Sequence, residues 1–292
     1  MTSADHARID AHRRFFADLV TASVRAHAPA VRDAFLNERR ESYLGPGPWE
    51  IFAGGAYIRT PSDDPAFVYQ DVLVRLKGDA NNGQPTLHAA CLAALVLRAG
   101  ETVVHVGAGT GYYTAILARL VGASGHVHAY EIDGDLAERA QAALSDRPQV
   151  SVHPVSAVGR PLPEANAIYV SAGATVLPDE WLDALRPAGR LVVPLTPAAG
   201  PGAMLLATRN SPDCFDARFI CAAMFIPCVG GRDDASAARL GESFKRGDAV
   251  RVRSLRRGGA PDQSAWYAGD GWRLSTEGCP AAAPPSVPAA GS

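Results

Sequence analysis

The sequence predicts an α/β chain of the Rossmann-like class, a mainly parallel sheet with helices on both faces, and three observations predict it. Short apolar runs alternate with helix-patterned stretches from residue 102 to residue 194, and such alternation builds parallel sheets through crossover helices. The first run, Val103-Val104-His105-Val106, enters a turn holding Gly107, Gly109 and Gly111 and continues as a helix-like stretch from Tyr113 to Val121. The next run, His126 to Tyr130, ends on Glu131, which puts a carboxylate beside that turn.

The elements follow in order. Ile9, Phe16, Val20 and Val24, with Phe15 and Leu19 beside them, form a helical stripe within residues 7–27. Pro29 opens a second helix with Val31, Phe35 and Leu36 on its inner face, and Gly45-Pro46-Gly47-Pro48 ends it. Residues 49–84 read as irregular, with one strand at 72–76, and Pro85 opens a helix running to Leu97. Strands are predicted at 102–106, 126–130, 150–153, 167–171 and 190–194, and helices at 112–121, 134–144 and 178–185. Arg186 to Arg190 forms a tight turn before the fifth strand, and Met204 to Thr208 pairs antiparallel with Phe219 to Ile226. Residues 229–247 are rich in Gly, Asp and Ala and read as a loop or short helix; Val250, Val252, Leu255, Trp266, Trp272 and Leu274 then alternate with polar residues. Four segments result: a helical and loop extension at 1–84, a cofactor-binding Rossmann-like domain at 85–228, a small β appendage at 229–278, and a Pro/Ala-rich disordered tail at 279–292.

Composition narrows the function classes. The chain has 292 residues, 47% of them hydrophobic, enough for one large domain with additions. A net charge of −2 sets up no field that recruits nucleic acid or an acidic membrane, so neither is expected as a partner. Arg251, Arg253, Arg256 and Arg257 read as a solvated strand face. The five cysteines, Cys91, Cys214, Cys221, Cys228 and Cys279, form no C-x-x-C pair and no zinc spacing, so no metal is expected. Their odd number, and an N-terminus without a charged-then-apolar leader, predict a reducing cytoplasm. No run is long enough to span a bilayer.

The glycine turn carries the chemistry. A strand, a glycine turn and a helix N-terminus make a nucleotide-binding edge, because glycine lets the backbone approach a ligand closely. A dinucleotide fingerprint is G-x-G-x-x-G, whereas here the spacing is G-x-G-x-G and position 112 is Tyr. A pyrophosphate needs a wide anion cradle; an adenosyl cofactor with an amino-acid tail needs a narrow turn. The spacing therefore favours S-adenosylmethionine over a nicotinamide cofactor, with Gly107, Ala108, Gly109 and Gly111 at the turn and Glu131, followed by Ile132, on the ribose hydroxyls.

Residues 82–195 resemble the protein-L-isoaspartate O-methyltransferase family of Rossmann-like class I methyltransferases. The resemblance rests on Gly83-Gln84-Pro85-Thr86-Leu87-His88, Gly107 to Tyr112, Tyr130-Glu131-Ile132, Ala167 to Ala174, Leu185 to Pro194, and the later Phe225-Ile226-Pro227. It implies an S-adenosylmethionine-dependent enzyme that methylates a carboxyl oxygen of a protein, peptide or small molecule, and it adds His88, Asn82 and Gln84 to the cofactor site. Three positions depart from the family. Its Ser before the Gln-Pro segment falls on Gly83, its Gly-Asp-Gly after the third strand is replaced by Pro154-Val155-Ser156, and the acid opening its fourth strand is Asn166. The loss at Gly83 predicts weak isoaspartyl recognition and a different acceptor.

No Ser/His/Asp set or metal cluster appears, and no catalytic residue is assigned. A carboxylate acceptor is already ionised at neutral pH and needs no base; an amine or phenol acceptor would draw on His88 or His153. His105 reads as a packing residue of a buried strand. The alternative to an enzyme is a catalytically silent cofactor-binding module acting as a partner or sensor.

Overall fold

The computed structural model describes residues 3–24 and 28–280. Helices α1 (Ser3–Thr21) and α2 (Ala28–Leu36) lead into four short strands, β1 (Glu50–Ala53), β2 (Ala56–Arg59), β3 (Leu73–Lys77) and β4 (Ala80–Asn81). Then come α3 (Pro85–Leu95), β5 (Thr102–Val106), α4 (Tyr112–Val121), β6 (His126–Tyr130), α5 (Gly134–Ala143), β7 (Val150–His153) and β8 (Ala165–Val170). The chain continues through α6 (Asp179–Asp183), β9 (Leu185–Leu195), β10 (Gly202–Arg209), β11 (Cys214–Ala223), α7 (Asp234–Arg246), β12 (Ser254–Arg257), β13 (Ala265–Ala268) and β14 (Trp272–Ser275).

The main sheet has ten strands in the order β13-β14-β12-β11-β10-β9-β8-β5-β6-β7. Strands β7, β6, β5, β8 and β9 are parallel, and every pairing beyond β9 is antiparallel. This is the predicted Rossmann-like architecture. Successive side chains of a strand face opposite sides, and both sides here are dry. Val103, Val127, Tyr169 and Val192 enter a core with α1 to α4, while Val104, Ile168, Leu191 and Val193 enter a second core with α6 and α7. Such two-sided burial explains why the parallel strands read as continuous apolar runs.

The N-terminal helices pack into the first of these cores, where Phe16 and Phe35 are fully buried and Phe35 meets Tyr112 and Tyr113 edge-on. Buried Glu38 ties the extension to the domain by accepting from Arg147 Nη2 at 2.8 Å, Arg119 Nε at 2.6 Å and Tyr43 Oη at 2.6 Å.

Several expectations need correction. Residues 49–84 are not irregular: they form a small antiparallel sheet in the order β2-β1-β3-β4. Its strands are short and half exposed, so they lack strong periodicity. The Gly54-Gly55 turn between β1 and β2, with φ of +62° and +89°, is a hairpin signal the sequence does carry. Residues 229–247 contain a helix of 13 residues, α7, started by Asp233 accepting from Ser236 N. Helix α6 is shorter than predicted because β9 begins at Leu185; the expected turn survives as an irregularity in which Ala165 and Ala167 pair with Leu185 and Arg190, with Ala188 at φ +59°. The strands expected at 248–275 exist and extend the main sheet from β11. Cys279 is not part of a free tail, since it forms a disulfide with Cys214, at odds with the expected reducing compartment; residues 281–292 of the predicted tail lie outside the described residues. Among the described residues no helix is long and apolar enough to cross a membrane, and no cluster suited to a metal occurs.

Candidate functional site

A cavity of about 700 Å³ opens at the C-terminal ends of β5, β6 and β8, where ligands bind in open α/β sheets. The small sheet, the start of α3 and the segment 222–229 wall its other sides. Its lining includes Gly107, Ala108, Gly109, Glu131, Ile132, Asn82, Gln84 and His88, so eight of the nine predicted cofactor residues converge on one space. Gly111 is the exception. A Cβ there would stand 2.7 Å from Leu144 Cδ1, so this glycine allows α4 to pack on α5 rather than a ligand to approach.

The turn end is held by main chain. Gly107 N and Ala108 N both donate to Tyr130 O, joining the end of β5 to the end of β6. Glu131 is 7% exposed; its Oε2 accepts from Gly109 N at 2.7 Å and its Oε1 from Asp133 N at 3.0 Å. Each carboxylate oxygen keeps a second lone pair for a ligand hydroxyl. Burial raises the Glu131 pKa, against the lowering effect of those backbone N–H groups. At Gly109 φ is +56° and a Cβ would touch only Leu76, at 3.5 Å, so the space above it is open. Lys77 of β3 bonds Asp133 and Asp135 and fastens the small sheet to the N-terminus of α5.

The opposite end is held by side chains. Gly83 N donates to Asn81 Oδ1 at 3.0 Å, and the exposed Gln84 amide donates to Asp71 Oδ2 at 2.9 Å, so Gln84 sits at the rim with its side chain engaged. Asn82 Oδ1 accepts from Val74 N and from Arg40 Nη2, both at 3.0 Å, which leaves its buried Nδ2 without a partner. His88, 2% exposed, stacks on Tyr113 at 3.6 Å and shares a 2.6 Å hydrogen bond with Tyr169 Oη through Nδ1. Burial pushes its pKa well below the usual histidine value, so the ring is neutral. The fully buried Tyr169 hydroxyl has no other hydrogen-bond partner among the described residues. It therefore donates to Nδ1, and the ring proton sits on Nε2. That Nε2 is buried and unpartnered, as is Thr110 Oγ1 at the turn. Gly83 makes room for the ring: at φ +70°, a Cβ there would stand 2.1 Å from Nε2.

Other residues divide between the cavity and its surroundings. Val155 and Ser156 line the cavity, and Ser156 Oγ accepts from Val158 N at 3.0 Å. His153 does not line it; it stacks on Tyr130 and meets His128 in a histidine row outside. His105 packs beneath the site, bonded to Thr114 Oγ1 at 2.8 Å and Ser171 Oγ at 3.1 Å, with its pKa lowered to about 3 by burial. Exposed Met224, Ile226 and Val229 form an apolar lip. Among the described residues no Lys or Arg lines the cavity, and its carboxylates are Glu131 and Asp133. Sequence reasoning missed Tyr169, Thr110 and Arg40. The first two belonged to recognised segments, whereas Arg40 is distant and carried no signal.

Asn82 Nδ2, His88 Nε2 and Thr110 Oγ1 are buried polar atoms of cavity residues with hydrogen-bonding capacity to spare. The open turn at Gly109, the buried Glu131 and the donors at Asn82 and His88 together suit an adenosyl group with an amino-acid tail.

A profile described as protein-L-isoaspartate(D-aspartate) O-methyltransferase matches residues 56–233. The protein-L-isoaspartate O-methyltransferase of Methylorubrum extorquens is 36% identical over 205 residues, covering 69% of this chain and 81% of that one. Its counterpart from Brucella anthropi is 34% identical over 170 residues, covering 57% and 77%. Among solved structures, a protein-L-isoaspartate O-methyltransferase superposes with a TM-score of 0.63 at 20% identity, over 80% of this chain and 69% of that chain. A Plasmodium falciparum protein described as a putative member, in complex with S-adenosyl-L-homocysteine, gives 0.61 at 18%, over 75% and 98%. At those identities the structures establish a shared fold.

Proposed function

The chain belongs to the protein-L-isoaspartate O-methyltransferase family, and from that premise we propose that it methylates a carboxylate oxygen of a protein, peptide or small molecule. It is an S-adenosylmethionine-dependent methyltransferase. For the cofactor we propose Gly107, Ala108 and Gly109 at the turn, Glu131 on the ribose hydroxyls, Ile132 beside the nucleoside, and Asn82 and His88 at the amino-acid tail, with Gln84 at the rim. Segment 85–228 is proposed as the catalytic unit, with 1–84 covering it and 229–278 bracing its sheet edge.

The observation that carries the carboxylate is the state of His88. Its Nε2, buried beside Gly83, holds a proton, so it donates and cannot serve as a base. His105 is bonded on both nitrogens, His153 lies outside, and Glu131 is tied to main chain. Asp133 is engaged by Lys77 and by Asp135 N and Leu136 N, which makes it a weak base. With no free base on the wall among the described residues, the nucleophile is one that arrives ionised, as a carboxyl group with a pKa of about 4 does at neutral pH. When bound, S-adenosylmethionine supplies an electrophilic methyl group on a sulfonium. The protein's part is to align the acceptor, exclude water and keep donors fixed. The apolar lip is proposed to receive the body of the acceptor. No nucleic-acid or membrane partner is proposed.

The test is an untargeted screen of peptides and small carboxylic acids with methyl-labelled cofactor. Base-labile esters are expected. Saturable S-adenosylhomocysteine binding with no methyl transfer to any carboxylate would instead indicate a silent module. A cytoplasmic location is also proposed. Thiol titration of protein from that compartment should find all five cysteines reduced, and a persistent Cys214–Cys279 bond would contradict it.

A further inference from the structure

Arg40 lies outside the segment that matches the family and is fully buried. Its Nη1 donates to Val68 O at 2.7 Å and Gln70 O at 2.8 Å; its Nη2 donates to Val72 O at 2.7 Å and Asn82 Oδ1 at 3.0 Å. All four acceptors are neutral, and no ion pair of this guanidinium occurs among the described residues. A buried charge met only by neutral acceptors, with the nearby Asp71 carboxylate out of ion-pair contact, is costly, and for stability alone an apolar residue would serve as well or better. The arrangement therefore needs another reason.

Asn82 supplies it. With Oδ1 claimed by Arg40 and Val74 N, the amide cannot flip, and its Nδ2 is the atom left over in the cavity wall. The same guanidinium grips the carbonyls at 68, 70 and 72, the segment that leads into β3. Its charge, offset only in part by the nearby Asp71 carboxylate, lies behind a wall lined by no Lys or Arg among the described residues. We infer that Arg40 is a positioning residue that fixes the Asn82 amide with its NH2 toward the cavity, so that this end selects the carboxylate of the cofactor's amino-acid tail. This rests on the cofactor placement proposed above.

Two nucleosides separate the possibilities: S-adenosylhomocysteine, which has the tail carboxylate, and 5′-methylthioadenosine, which lacks it. Binding of each is measured by calorimetry for the natural protein, R40M, R40K and N82D. R40M should lose about tenfold or more in S-adenosylhomocysteine affinity, the scale of one hydrogen bond to a charged group, while methylthioadenosine moves by less than about threefold. R40K, which keeps the charge without the fork, should fall between. N82D keeps an acceptor for Arg40 and Val74 but loses the NH2, and should weaken S-adenosylhomocysteine selectively. Equal losses for both nucleosides, or no loss for either, in folded variants would overturn the role of Arg40; if R40M does not fold, R40K and N82D decide by the same criterion. Failure of the natural protein to bind either nucleoside would instead refute the cofactor placement itself.

Discussion

The glycine-turn end of the cavity and the Asn82–His88 end are constrained from different distances along the chain. At the first, Glu131 is fixed by N–H groups of Gly109 and Asp133, two to twenty-two residues away. At the second, Asn82 is fixed by Arg40 and His88 by Tyr169, forty-two and eighty-one residues away. The first end needs a strand, a turn and an acid at set spacing. The second depends on how the extension folds over the domain.

Perturbing the turn end should give the largest effect. Gly109→Val puts a β-branched residue at φ +56° and fills the open space above the turn. Binding of S-adenosylhomocysteine should fall by at least about a hundredfold; tight binding by a folded variant would move the turn away from the cofactor. Glu131→Ala comes next, with a loss of about 1.5–3 kcal/mol, the range for hydrogen bonds to a charged group. Unchanged affinity there would remove Glu131 from the site.

A third effect is on stability rather than binding and concerns the buried histidines behind the other end. His105, lowered to about 3, and His88, also lowered, stay neutral when folded. Once unfolded they bind protons below about pH 6.5, so the unfolded state gains protons and stability falls as pH drops from there. Denaturant midpoints between pH 7 and pH 5 should decline, by up to about 1.4 kcal/mol per pH unit for each histidine. A flat profile would mean that these rings are charged or solvated in the folded protein.

The same contrast explains what the sequence made legible. The strand at 102–106, the turn and Glu131 were readable because local spacing determines them, and five parallel strands followed from two-sided apolar runs. The small sheet was not, since its strands are four residues or so long and half exposed. Asn82 and His88 were identified by position, but which atom each presents depends on Arg40 and Tyr169, contacts no local pattern encodes. Gly111 lies outside the cavity lining and packs against Leu144, and a glycine that serves helix packing looks the same in sequence as one that serves a ligand.

The Asn82–His88 end of the site is proposed to handle a carboxylate with neutral donors and without the hydroxyl that the family places at position 83. Methyl transfer to an isoaspartyl peptide, measured in parallel with a repair enzyme that has the serine, tests it most directly. Base-labile ester should form at a rate about one to two orders of magnitude lower, the equivalent of one lost hydrogen bond to a charged group. Turnover equal to that of the serine-containing enzyme would contradict the account and make isoaspartyl repair the function.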